Sequence, residues 1–313
     1  MLISIPKNRI RKGMYIESVA CPSREFSKRR FLLSNEDDLR AIALSSADVV
    51  LINVSRGVDQ DGRTVRIEPQ KLGLDMSFEA KARQIRDSIG AQTVAAKASL
   101  EEIAGGTTPD MTSLEPMADV VDRAWSDEPL VALELTRLKT KDETTYEHSL
   151  AVSGLMALMG RALRLDEKTV REMGIAGILH DIGKLHIPDD ILTKPANLTS
   201  REREIIRNHP EAGYQILKAY PNMSPIILDI CRLHHEALDG SGYPLGLKAP
   251  KLPLHVRIAT VCDVFEALTS IRPYKRPWST EQAIKWMFER PQFFDAKLVI
   301  RLGSILTPGG RIS

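Results

Sequence analysis

The chain has 313 residues, 43% hydrophobic and 27% charged, with 43 Lys and Arg against 41 Asp and Glu, a formal net charge of +2. That length allows one sizeable core and a smaller second domain, and the near balance of charge gives no global pull toward a nucleic-acid polymer or an anionic membrane. Cys21, Cys231 and Cys262 are widely spaced and form no CxxC pair, which argues against a disulfide framework or a thiolate zinc site and suits a reducing cytosol.

Met1 to Lys7 is too short and too Pro-broken for a secretory h-region, and no stretch reaches the ~18–20 apolar residues of a membrane span. A cytoplasmic protein without membrane insertion is expected. Short β-prone runs follow at Met14–Val19, Arg30–Leu33, Val49–Val54 and Thr64–Ile67, with turn signals at Gly57 and Asp61-Gly62. Asn35 is a plausible cap for a short helix through Ala43, ahead of Glu36-Asp37-Asp38. Residues 1–75 therefore predict a small β-rich or α+β domain.

Ser77 to Ala104 is helical in pattern and poor in large apolar residues, and Gly105–Asp110 breaks it. Residues 76–110 are read as a connecting helix and linker. Beyond Met111 nearly everything has a 3.6-residue period, with faces at Asp142–Leu165, Glu167–His180, Arg201–Asn208, Pro210–Ala219, Ser224–Glu236, Leu254–Ser270 and Thr280–Arg290. Thr199…Glu202 and Ser279…Gln282 have capping-box form. Residues 111–313 thus predict an all-helical bundle, and the fold class is mainly α.

All seven histidines lie between positions 148 and 255. His180-Asp181 and His234-His235 end predicted helices, His209 precedes Pro210 at a helix break, and His148 is inside a helix. Asp263 sits among Val261, Cys262, Val264 and Phe265, where a carboxylate is costly to bury unless a positive group meets it. Taken singly, each is more simply a satisfied polar residue; two doublets and a buried Asp in consecutive helices favour a metal. Imidazole with carboxylate and no thiolate suits Fe or Mn, with Zn or Ni as alternatives. Asp181 is the natural bridge between two ions, which at roughly 3.5–4 Å apart can share a hydroxide and polarise a phosphoryl group. His186 and His255 lack such context and are read as ordinary residues, as are Cys231 and Cys262, which sit in apolar helical runs and are read as buried small hydrophobes.

His180-Asp181-Ile182-Gly183-Lys184 with Ile187–Leu192 resembles the signature of HD metal-dependent phosphohydrolases. His234-His235-Glu236 followed by Asp239-Gly240-Ser241-Gly242-Tyr243-Pro244 resembles the HD-GYP subgroup, as do Leu198-Thr199, His209-Pro210-Glu211, Asp263–Thr269 and Arg272-Pro273-Tyr274-Lys275. The likeness runs from about 135 to 300. More loosely, Arg11–Ile16, Phe31-Leu32-Leu33 and Ile52–Gly57 resemble a small domain that often precedes HD-GYP units, which implies a regulatory role or contacts with other signalling proteins.

The resemblance implies hydrolysis of cyclic di-GMP to pGpG, with GMP as a further product, by a metal-bridging hydroxide and two divalent ions, Fe or Mn. His148, His180, Asp181 and Asp263 would hold one ion; His209, His234 and His235 would hold the other, with Asp181 shared. Lys184 would stabilise the phosphate or protonate a leaving oxygen, Tyr243 would position the ligand, and Arg272 and Lys275 would meet the second phosphate. Four departures stand out: Thr144 where some members have a third-metal Glu, Ala237 where many have Arg or Lys, Glu266 for a frequent Asp, and a short C-terminus. Two alternatives remain open, a low-turnover cyclic di-GMP receptor and an HD phosphohydrolase of another nucleotide such as cyclic GMP-AMP.

Overall fold

Leu2–Pro6 (β1), Tyr15–Val19 (β2), Phe31–Leu32 (β3) and Val49–Asn53 (β4) form one antiparallel sheet in the order β1-β4-β2-β3. The structure, a computed structural model, describes residues 2–19, 21, 25–28, 30–47, 49–53, 56–58, 62, 76–105, 111–127, 129–137, 144–194, 197–270 and 277–306. Three of the expected β-prone runs supply β2, β3 and β4, while Thr64–Ile67 lies outside the described residues. β1 is not among the strands expected from the sequence; pairing Ile3 with Ile52 and Ile5 with Val50 makes this short segment a strand. Glu36–Leu44 (α1) is capped as expected, Asn35 accepting from the Asp38 amide at 2.7 Å. Ile42 joins Ile5, Met14, Ile16, Val50 and Ile52 in the core of this first unit, which takes in the described residues of Met1–Ile85.

The second unit is helical. It begins at Arg86, within Met76–Ala104 (α2), and continues through Met111–Asp127 (α3), Pro129–Arg137 (α4), Thr144–Ala162 (α5), Glu167–Leu179 (α6), Asp189–Leu192 (α7), Ser200–Arg207 (α8), His209–Lys218 (α9), Pro225–Leu233 (α10), Leu254–Thr269 (α11), Thr280–Phe288 (α12) and Ala296–Leu306 (α13). Both expected capping boxes are present, Thr199 with Glu202 and Ser279 with Gln282. Ala96, Leu100 and Ile103, on one face of α2, are buried in the same core as Trp125, Leu155, Ile178, Ile230 and Phe265. The molecule is therefore mainly α, with a helical bundle and a small α+β unit. No described helix is long and apolar enough to cross a membrane.

Close approach of α5 to α6 positions the histidines, because these helices carry His148 and lead into His180. A Cβ on Gly177 would lie 2.5 Å from Ser153 Cα, and one on Gly154 would lie 2.0 Å from the Trp125 ring. Gly183 permits a similar contact beyond the end of α6: its Cβ would sit 2.0 Å from the His209 carbonyl oxygen, so the segment after Asp181 presses against the start of α9.

Two alanine substitutions of opposite sign check this packing. Gly90, exposed in α2 with nothing within 4 Å of a Cβ, should gain about 0.5–1 kcal/mol as Ala. Gly177→Ala should lose about 1–3 kcal/mol through overpacking against backbone that cannot yield. Urea-unfolding midpoints of the full chain measure both; a stabilised Gly177→Ala would refute the close approach.

Candidate metal centre

Each ligand-type side chain comes from a helix end or an inward face. His180 caps α6 at its C-terminus, and Asp181 opens the 3-10 turn Ile182–His186. His209 is the first residue of α9, followed by Pro210 in the first turn, where the missing N–H costs nothing. His234 caps α10, and Thr260 of α11 donates its hydroxyl to the His234 carbonyl at 3.0 Å. His148 of α5 and Asp263 of α11 face the same point, with His148 Nε2 3.1 Å from Asp263 Oδ1. His148, His180, Asp181, His209, His234 and Asp263 are all buried, and His235 partly so.

The Asp181 carboxylate divides this cluster in two. Its Oδ2 lies 3.4 Å from His180 Nε2 and 3.6 Å from His148 Nε2, while its Oδ1 lies 3.1 Å from His209 Nε2 and 3.7 Å from His234 Nε2. Two ligand groups result, Asp181/His209/His234/His235 and His148/His180/Asp263, each with its ligand atoms within 4.8 Å of one another. Lys184 Nζ reaches Asp181 Oδ2 at 2.5 Å.

Hydrogen bonds behind the rings fix which nitrogen faces inward. His180 Nδ1 donates to the Gly177 carbonyl at 2.8 Å, His209 Nδ1 to that of Ile206 at 2.6 Å, and His234 Nδ1 to that of Cys231 at 3.0 Å. His148 Nδ1 is held by Glu266 Oε2, a buried carboxylate on α11. With the proton on Nδ1, each of these rings can turn an Nε2 lone pair toward the centre, the arrangement metal-bound imidazoles adopt.

Charge states agree. Burial drives the His180, His234 and His235 pKa values down, and neighbouring imidazoles add to the effect on His234, leaving His235 at about 4. Burial pushes Asp181 up, yet His180 and Lys184 outweigh it and hold the carboxyl well below the usual range. Asp263 behaves alike, burial being overcome by the His148 hydrogen bond and charge. Neutral imidazole beside ionised carboxylate is the form in which these groups bind cations. Burial raises both Cys231 and Cys262, so neither offers a thiolate.

These residues fit divalent cations on their own geometry. His209 Nε2 and His234 Nε2 face each other at 3.3 Å, lone pair to lone pair, and His209 Nε2 meets an anionic oxygen in the same way. Among the described residues His180 Nε2 and Asp181 Oδ1 have no hydrogen-bond partner although both are buried. Such contacts are repulsive or unsatisfied in a bare protein; a cation between them reverses the sign.

The segment after His235 closes over one side. Tyr243 N donates to the His235 carbonyl at 3.2 Å, and the two rings stack with centroids 4.7 Å apart. A Cβ on Gly242 would lie 2.3 Å from Ala237 N, so only glycine permits this approach. Glu236 holds the far end of the loop: buried, it accepts from the amides of Leu245 at 2.7 Å, Gly246 at 3.0 Å and Leu247 at 2.9 Å. An open cleft of about 410 Å³, lined by Gly183, Ile187, Asn208 and His209 among others, borders the α8–α9 corner.

The seven expected metal ligands, Lys184 and Tyr243 thus come together. Arg272 and Lys275 lie outside the described residues. His186 is exposed, and His255 pairs with Asp229 at 3.1 Å, both outside the two ligand groups. Sequence reasoning missed how Glu266 orients His148 and how Glu236 anchors the loop. The signal for Glu266 was an acid one turn beyond Asp263 in the same apolar run; for Glu236 there was none beyond its place in the motif.

Residues 127–298 match the HD domain family. The chain belongs to that family. Its HD-GYP character accords with a cyclic di-GMP phosphodiesterase of Pseudomonas aeruginosa, 36% identical over 311 residues, which cover 95% of this chain and 75% of the relative. A cyclic di-GMP phosphodiesterase of Thermotoga maritima is 38% identical over 177 residues, 55% of this chain and 48% of that one. A 3'3'-cGAMP-specific phosphodiesterase of Vibrio cholerae is 34% identical over 182 residues, 58% of this chain and 35% of that one. Among solved structures, an HDG"Y"P protein of Bdellovibrio bacteriovorus superposes with a TM-score of 0.58 at 16% identity, covering 98% of this chain and 99% of that one, which shows a shared fold. As in the HD domain generally, the His/Asp clusters here are able to hold divalent metal.

Removing the Glu236 carboxylate leaves three inward amides without their acceptor. Glu236→Ala should cost about 3 kcal/mol, the scale of hydrogen bonds to a charged acceptor partly replaced by water. Thermal unfolding and limited proteolysis across 237–247 measure it; an unchanged melting temperature with no new cleavage would show that the loop is held otherwise.

Proposed function

We propose that this HD-GYP centre hydrolyses cyclic di-GMP, first to linear pGpG and then to GMP. The observation that carries the reading is the divided Asp181 carboxylate, one oxygen turned to each ligand group. His148, His180, Asp181 and Asp263 would hold one ion, and His209, His234 and His235 the other, with Asp181 shared; Fe or Mn suits this donor set. Divalent cations there would acidify water and draw charge from the phosphoryl oxygens.

The chain's own groups do the rest. Water adds at phosphorus, the P–O3′ bond breaks, and the proton balance is met at the departing O3′, which leaves a 5′-phosphate and a 3′-hydroxyl. Lys184 Nζ, beside Asp181 Oδ2, is the donor for that oxygen. Tyr243, stacked on His235, orients the nucleotide and keeps bulk water from that side. Arg272 and Lys275 would take the second phosphate. We take residues 111–313 as the catalytic domain, with residues 86–104 of α2 packed into its core rather than serving as a bare connection, and 1–75 as a regulatory domain for other signalling proteins, acting in the cytoplasm.

Hydrolysis of 3′3′-cyclic GMP-AMP is a second reading, favoured by the 34% identity to the Vibrio relative. Anaerobic purification, followed by metal analysis and turnover of both cyclic dinucleotides, decides between them. The expected result is two ions per chain and faster conversion of cyclic di-GMP. Asp181→Ala should abolish turnover and most bound metal, whereas Lys184→Ala should keep metal and lose about 100-fold or more in kcat. Asp181→Ala with activity and metal near wild type would overturn the assignment.

A further inference from the structure

Arg207 is the last residue of α8, two positions before His209, and exposed. Its guanidinium carbon lies 4.6 Å from the Tyr243 ring centroid, and that ring lies 4.7 Å from the His235 ring. Arginine, tyrosine and histidine thus lie one beyond the next, the two rings tilted by 32°, from the surface toward the ligand groups. Among the described residues Arg207 has no ion pair. A second arginine shows what a structural stack looks like: Arg232 lies 4.3 Å over Tyr214, but its Nε donates to Glu211 at 2.8 Å. There the charge is answered within the fold. Among the described residues nothing answers it at Arg207.

A guanidinium held over an aromatic ring by cation–π attraction can still donate through its N–H groups. They form a rigid fork matched to two acceptors side by side. Only one aromatic layer separates that fork from His235, so it lies within a nucleotide's length of the ligand groups.

We propose that Arg207 is a substrate-binding residue, its guanidinium taking a paired acceptor of the cyclic dinucleotide through two parallel hydrogen bonds. The acceptor pair is either the oxygens of the phosphodiester not being cut or N7 and O6 of a guanine. Tyr243 is the splint that holds the fork. The inference rests on the hydrolysis proposed above and adds a contact to it that is independent of Arg272 and Lys275.

A plainer role would be electrostatic: a cation at a helix C-terminus is favourable in itself. That role would be filled equally by lysine and would leave substrate affinity untouched. Arg207→Ala and Arg207→Lys are therefore compared with wild type in the full metal-loaded chain. KM and kcat are measured by turnover, and Kd by calorimetry, for cyclic di-GMP, 3′3′-cyclic GMP-AMP and cyclic di-AMP.

The expected result is a KM and Kd raised about 10- to 100-fold in Arg207→Ala, with kcat nearly kept and metal content per chain unchanged. Arg207→Lys should recover only a fraction, since a point charge makes no fork. A rise shared by all three ligands assigns the phosphodiester; a rise confined to ligands containing guanine assigns the base. Unchanged KM and Kd, full rescue by lysine, or loss of metal would each overturn the proposal. If wild type binds cyclic di-GMP without turning it over, the hydrolytic reading fails and the Kd ratio alone judges Arg207. If wild type neither binds nor turns over any of the three, both readings fall.

Discussion

Asp181 carries a negative charge with 3% of its surface exposed, and four imidazole nitrogens stand within 3.7 Å of its two oxygens. Removing a carboxylate from water this completely costs several kcal/mol unless positive charge compensates it. Lys184 supplies some of that charge on one oxygen only. The other oxygen meets imidazoles whose protons point away, into backbone carbonyls. The arrangement is self-consistent once cations are present and frustrated without them, which is why so many helix ends converge on one carboxylate. The close approach of α5 to α6 and the pressure of Gly183 on the start of α9 serve the same requirement: the rings must reach within bonding distance of a shared atom.

Around this centre two other buried acids do quieter work. Glu266 holds the outer nitrogen of His148, and Glu236 gathers three amides at the far end of the 236–247 loop. Neither belongs to the two ligand groups. Both convert a flexible feature, a ring rotamer and a loop, into a fixed one, because a carboxylate buried against charge-assisted hydrogen bonds has little alternative geometry. Tyr243 inherits its place from this anchoring, and its ring carries the influence outward to Arg207 at the surface.

Much of this was legible in the amino-acid order. The long periodic helices stand where the apolar faces put them, with small differences at their ends: the helix expected over Asp142–Leu165 stops at Ala162. Local side-chain chemistry was equally readable, as the caps at Asn35, Thr199 and Ser279 show. Less legible were elements whose identity depends on partners. β1 is a five-residue strand only because β4 lies beside it. The buried stripe Ala96, Leu100 and Ile103 belongs to a helix whose sequence is thin in apolar residues, since alanine and two wide-set large residues give a weak periodic signal.

The sequence by itself determined the helical periodicity, the capping residues and which residue types are present for metal chemistry, because each of these depends on neighbours within a turn or two. Tertiary structure alone decided which atom meets which. His148 and Glu266 are 118 positions apart, and His209 and His234 are 25 apart; no local rule relates them. The division of the Asp181 oxygens, the burial of Glu236 and the stack of Arg207 on Tyr243 are fixed by helix packing at van der Waals contact, where glycines at 177 and 183 let backbones approach. Spacing in the chain carries no record of those distances.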